Sequence, residues 1–149
     1  MNSKHNKVLI VELFILFIIL LAVITIITTL AMKTREQSAD AGRLTDAVLC
    51  AENTAEMTSE AADVKEAAKM IGSMDNVNEP GIRGNVISAK TKIMTEKGES
   101  RTYIVKVTFD EEKGSSGKYI KKKIEVFSGE DAEKIYDLDT GNYIGRDAV

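Results

Sequence analysis

Lys7–Met32 reads KVLIVELFILFIILLAVITIITTLAM. From Val8 to Met32 every side chain would be at home in hydrocarbon except one carboxylate, Glu12, four residues after the first apolar residue. An ionised group at mid-bilayer costs on the order of 3 kcal/mol on insertion scales. A glutamate in this place is either tolerated near the interface or has a partner. As a helix the 25 residues Val8–Met32 rise about 37 Å, enough to cross a hydrocarbon core of about 30 Å with some tilt. That is longer than the apolar core of a signal peptide, and Thr29-Leu30-Ala31-Met32 is a poor cleavage motif. The segment reads as a retained transmembrane anchor, residues 8–32, behind a short cytoplasmic leader, residues 1–7.

Beyond the anchor, Lys33–Val149 is large enough for one small domain. It holds 18 of the 20 basic and 22 of the 23 acidic residues, so it lacks the basic face a nucleic-acid partner requires. A single cysteine, Cys50, excludes an intramolecular disulfide and reads as a small buried hydrophobe. The only histidine is His5, so no Ser-His-Asp or Cys-His system is available beyond the anchor, and no enzyme, cofactor or metal is expected. Lysine and arginine are almost balanced about the anchor. The short tail is expected in the cytoplasm and the domain outside.

Residues 33–72 are rich in Ala, Glu, Lys and Met, and are expected to continue the anchor as one amphipathic helix. Leu44, Val48, Ala51 and Ala55 recur at i, i+4, i+7 and i+11, a stripe expected to pack the helix on a sheet. Asp46, Glu52, Glu56, Glu60, Asp63 and Glu66 form the opposite, acidic side. Residues 73–85, with Pro80-Gly81, read as a loop.

From 86 to 149 the period changes to two. Ile87, Ala89, Thr91 and Ile93 share one face, as do Tyr103, Val105, Val107 and Phe109, and then Ile120, Ile124 and Val126. KIYDLDTGNYIG, 134–145, reads as a short strand, a turn at Thr140-Gly141-Asn142 and a last short strand. The fold class is α+β: a long N-terminal helix, its distal half on an antiparallel sheet of about four strands.

Two suggestive stretches fail on chemistry. EKGSSGKY has the wrong spacing for a phosphate-binding loop, and Tyr119 stands where a magnesium-binding hydroxyl belongs. Asp137, Asp139 and Asn142 fall short of the six to eight oxygens calcium takes, so a turn is the better reading. Lys121-Lys122-Lys123 is not one patch, because alternation sends Lys122 to the face opposite its neighbours.

With Val8 as position one, VLIVE parallels the FTLIE start of a mature pilin, and Glu12 falls on that family's glutamate. Leader, glutamate-bearing apolar helix, amphipathic continuation and C-terminal sheet resemble the type IV pilins and type II secretion pseudopilins. The tail KKKIEVFSGEDAEKIYDLDTGNYIG is similar to the ending of small pilin-like proteins of Gram-positive anaerobes. The resemblance implies a structural subunit, a minor one, of a pilus, secretion or competence filament. Its implied partners are other pilin-like subunits, an assembly platform in the membrane and a prepilin peptidase cutting at Lys7–Val8. Glu12 would pair with the N-terminal amine of a neighbouring subunit. The sequence departs from the family in having Lys7 where glycine precedes the cut. The alternative is a single-pass anchored binding domain that never polymerises.

Overall fold

The computed structural model describes residues 2–95, 98–114 and 117–145, with side chains from Leu9 onward. The chain divides into two compact units, Met1–Ala41 and Gly42–Val149. Helix α1, Asn2–Met57, contributes to both.

In the first unit the described side chains of α1 are exposed. All 18 large apolar residues from Leu9 to Met32 remain 46 to 68% exposed. An apolar surface that continuous and all-round suits lipid rather than water. The threonine hydroxyls within it are already satisfied by the helix itself. Thr25, Thr28 and Thr29 donate their hydroxyls to the carbonyls of Leu21, Ile24 and Thr25, each at 2.8 Å. This is one stretch long and apolar enough to cross a membrane.

The second unit begins with the last turns of α1, whose buried line is Ala47, Cys50, Ala51 and Thr54, continued by Thr58 just past the helix end. Small side chains on the helix here face large ones from the sheet. The two buried hydroxyls are satisfied along the helix: Thr54 donates to the Cys50 carbonyl and Thr58 to that of Thr54, both at 2.7 Å.

The helix expected over 33–72 is interrupted. It stops at Met57 and resumes as α2, Val64–Gly72. Asp63 caps the new helix by accepting from the Glu66 amide at 2.8 Å, while the Glu66 carboxylate accepts from the Ala62 amide at 2.9 Å. The first bond satisfies an amide that a helix start leaves open, and the second ties down the residue just before the cap. Ala67, Ala68 and Ile71 of α2 are buried.

Five strands follow, β1 Gly81–Arg83, β2 Val86–Met94, β3 Ser100–Gly114, β4 Gly117–Ser128 and β5 Lys134–Gly145. They form an antiparallel meander in chain order. The sheet therefore has one strand more than about four, because β1 lies inside the expected loop 73–85. Gly84, at φ 60°, makes the tight turn to β2 together with Asn85. The turn expected at Thr140-Gly141-Asn142 is instead continuous strand, those residues pairing with Lys122, Lys121 and Ile120.

The inner face carries Ile87, Ala89, Tyr103, Val105, Val107, Phe109, Ile120, Ile124 and Val126, all buried with the helices in one core. These are the residues that strict alternation assigns to it. Arg146–Val149, the end of the expected head, lie outside the described residues.

Candidate functional site

Glu12 sits on α1 with an exposed side chain, and its described neighbours from Leu9 to Phe17 are exposed leucine, isoleucine, valine and phenylalanine. Among the described residues no hydrogen bond or ion pair reaches its carboxylate. It is the only ionisable residue between Leu9 and Met32. Lys7 and Val8, the expected processing junction, lie within the helix, and their side chains are outside the described residues.

The four residues expected to hold the helix on the sheet do not act together. Ala51 is fully buried, Val48 and Ala55 are half-buried, and Leu44 is 47% exposed. The buried stripe is rotated toward Ala47, Cys50, Thr54 and Thr58. Leu44 is the correction: it precedes the first fully buried residue of the helix by three positions, where α1 is only beginning to meet the sheet. Hydroxyls bonded back to the helix can be buried at little cost, so the threonines take places that a large-apolar rule would deny them.

Polar contacts do much of the fastening. At the start of the head, Asp46 Oδ2 accepts from the Tyr103 hydroxyl at 2.9 Å and from Arg101 Nη1 at 3.2 Å. Gly42 leaves room for that arginine: a Cβ there would lie 3.2 Å from Nη1. Burial, then the hydrogen bond to and charge of Asp46, push the Tyr103 phenol up to about 12. Burial and the same carboxylate push the Cys50 thiol up to about 11, which keeps it protonated and inert. Arg43 adds a longer ion pair to Asp131 at 3.8 Å.

At the other end, Lys122 projects from β4 into the core and is 1% exposed. Its ammonium donates to the Thr58 carbonyl and, at 3.2 Å, to that of Ser59, where α1 runs out of its own donors. The ring of Phe109 lies 5.7 Å below it. Burial lowers the Lys122 pKa, and Glu66 partly restores it. Lys118 donates to the Ala62 carbonyl at 3.4 Å. Alternation alone places Lys122 on the inner face; its role at the helix end depends on tertiary contact and was not legible.

Between the helices and β2 is an apolar cavity of about 330 Å³, walled by Cys50, Thr54, Ile71, Met74, Ala89 and Val105 among others. Among the described residues no three metal-ligating side chains come together. Asp137 and Asp139 stand on β5 opposite Glu125 and Lys123, and Asp137 is 3.6 Å from Lys134.

No family model, no curated protein and no solved structure matches this chain.

Proposed function

We propose that the chain is a pilin-like structural subunit, a minor one, held in the membrane by residues 8–32 and then drawn into a filament. Its N-terminus would lie in the cytoplasm and its head outside. The observation that carries this reading is Glu12, one carboxylate without an intrachain partner among the described residues, on a helix surface otherwise made for lipid or for other apolar helices. A buried carboxylate gains most from a cation brought to it, so docking of a neighbour's amine would relieve its cost and fix the stagger between subunits. Heterologous contacts of that kind propagate as filaments instead of closing into rings. The α+β head on a helix that begins in the apolar segment supports the same reading. Its partners would be further subunits, a membrane assembly platform and a prepilin peptidase.

One observation favours a second reading. Lys7 stands where cleavage would need glycine, and an uncut chain offers no amine at position one. The head would then be a single-pass anchored binding domain. The intact mass of the chain extracted from its host's membranes separates the two. A species beginning at Val8, with or without an added methyl group, supports the filament subunit; a species retaining Met1–Lys7 overturns it.

A further inference from the structure

Beyond Phe109 the sheet narrows to β3, β4 and β5, since β2 pairs no further than Val86 with Thr108. On the outer face of this extension Tyr119 and Tyr143 form a directly opposed cross-strand pair. Both are exposed, by 41% and 58%. Neither ring stands up from the sheet. The phenol end of Tyr119 occupies the place a side chain at 141 would take, its Cζ 2.7 Å from where a Cβ would be. Tyr143 does the same over Gly117, with Oη at 2.7 Å and Cζ at 2.9 Å. Each tyrosine thus lies down across the neighbouring strand on a glycine that makes room for it. Gly117 and Gly141 lie two rows either side of the tyrosine pair. The two phenol ends are therefore separated by about 14 Å along the strands. The result is an aromatic floor, a few hexose units long, whose two tyrosines remain accessible to solvent.

We propose that this floor is a binding platform for a neutral polysaccharide, stacking pyranose rings on Tyr119 and Tyr143. The axial C–H groups on one face of a pyranose carry partial positive charge, and an aromatic face is negative, so the two flat surfaces attract. The frame selects among ligands that stack. Asp110 and Glu112, in register with Lys121 and Tyr119, and Asp139 beside Lys123 put three carboxylates against two amines. Single-stranded nucleic acid also stacks on aromatic residues, but it needs a positively charged track, and this frame, with more carboxylates than amines, does not supply one. Sugar hydroxyls suit it, because carboxylates accept from them and ammonium groups donate to them. The platform belongs to the head alone and does not depend on whether the chain polymerises.

The test uses the full chain in a detergent without a sugar headgroup, titrated calorimetrically with cellohexaose, chitohexaose and an oligothymidylate. Binding of either hexasaccharide is expected, weakened about tenfold by Tyr119→Ala or Tyr143→Ala and within about twofold of wild type for the Phe variants. A variant-free measurement runs alongside. Saturating hexasaccharide should protect Tyr119 and Tyr143 from nitration by tetranitromethane, read by peptide mass, with Tyr136 as internal reference. Failure to bind either hexasaccharide overturns the proposal, as do unchanged affinity in the Ala variants, undiminished nitration, or preference for the oligothymidylate. Self-association lost in the Ala variants, without saccharide binding, would assign the floor to contact between copies of the chain and also overturn it.

Discussion

Replacing Asp46 with alanine should loosen the head at the point where α1 first meets the sheet. The Tyr103 side chain belongs to a residue only 2% exposed, and its hydroxyl donates to the Asp46 carboxylate. Removing the acceptor leaves a buried donor unsatisfied, and a hydrogen bond to a charged group contributes about 1.5–3 kcal/mol. The ion pair with Arg101 adds less than about 1 kcal/mol, because the two side chains are 30% and 18% exposed and water screens them. The expected loss is about 2–3 kcal/mol. For a unit of the size of Gly42–Val149 that lowers Tm by roughly 10 °C. The assay is thermal melting of the full chain in micelles followed by near-ultraviolet circular dichroism, where four tyrosines and no tryptophan supply most of the signal. A cycle through Asp46→Ala, Tyr103→Phe and the double variant isolates the hydrogen bond, with an expected coupling above about 1 kcal/mol. Single variants that add to within about 0.5 kcal/mol, or an Asp46→Ala protein that melts with wild type, would falsify the reasoning.

Lys122→Ala removes the ammonium from the Thr58 and Ser59 carbonyls and opens a hole above Phe109, so it should cost about 2–4 kcal/mol. Lys122→Met fills the volume without burying a charge and should be more stable than the alanine variant by more than about 1 kcal/mol in denaturant titrations; the reverse order contradicts the account of Lys122. Above pH 10 the unfolded chain releases the Tyr103 proton that the folded chain keeps until about 12. The folded state then binds more protons, so stability falls as pH rises through that window. Wild type should lose about 2–3 kcal/mol more than Tyr103→Phe between pH 9 and 12, a comparison in which Lys122 cancels; equal losses refute it.

Much of the head was legible because its signals are local. Period-two alternation assigned Tyr103, Val105, Val107 and Phe109 to one face without knowledge of what covers it. The break in the second helix was also written locally, as Asp63 followed by Glu66 at capping-box spacing, but the surrounding alanines, lysines and glutamates speak for helix throughout. Likewise Gly84-Asn85 is a hairpin signal hidden in a glycine- and asparagine-rich stretch. Gly141 was different in kind. In one dimension Thr140-Gly141-Asn142 looks like a turn. In the sheet that glycine is needed because Tyr119, twenty-two residues earlier, lies across it. Neither this nor the contact of Lys122 with the end of α1 can be read from neighbours in sequence.

The polar groups of the helices set Glu12 apart as the residue on which the filament reading rests. Thr25, Thr28, Thr29, Thr54 and Thr58 are all satisfied by carbonyls of their own helix, and Asp46, Glu66 and Lys122 find partners elsewhere in the head. Glu12 has no such partner among the described residues; the filament reading looks for one in another chain, the interfacial reading in water or lipid headgroups. A glutamate that reaches the interface needs only depth, and one that docks a neighbour needs a fixed azimuth on the helix as well. Moving the carboxylate one position, Val11→Glu with Glu12→Leu, changes its depth by about 1.5 Å and its azimuth by about 100°. The two roles then diverge. Snorkelling tolerates the exchange, while docking does not, and Glu12→Leu alone should insert at least as well as wild type yet fail to assemble. Subunits recovered in sheared surface fractions, compared with those retained in the membrane, give the reading. Equal recovery of the exchanged variant and wild type would reduce Glu12 to an interfacial residue and leave the anchored domain as the better account of the chain.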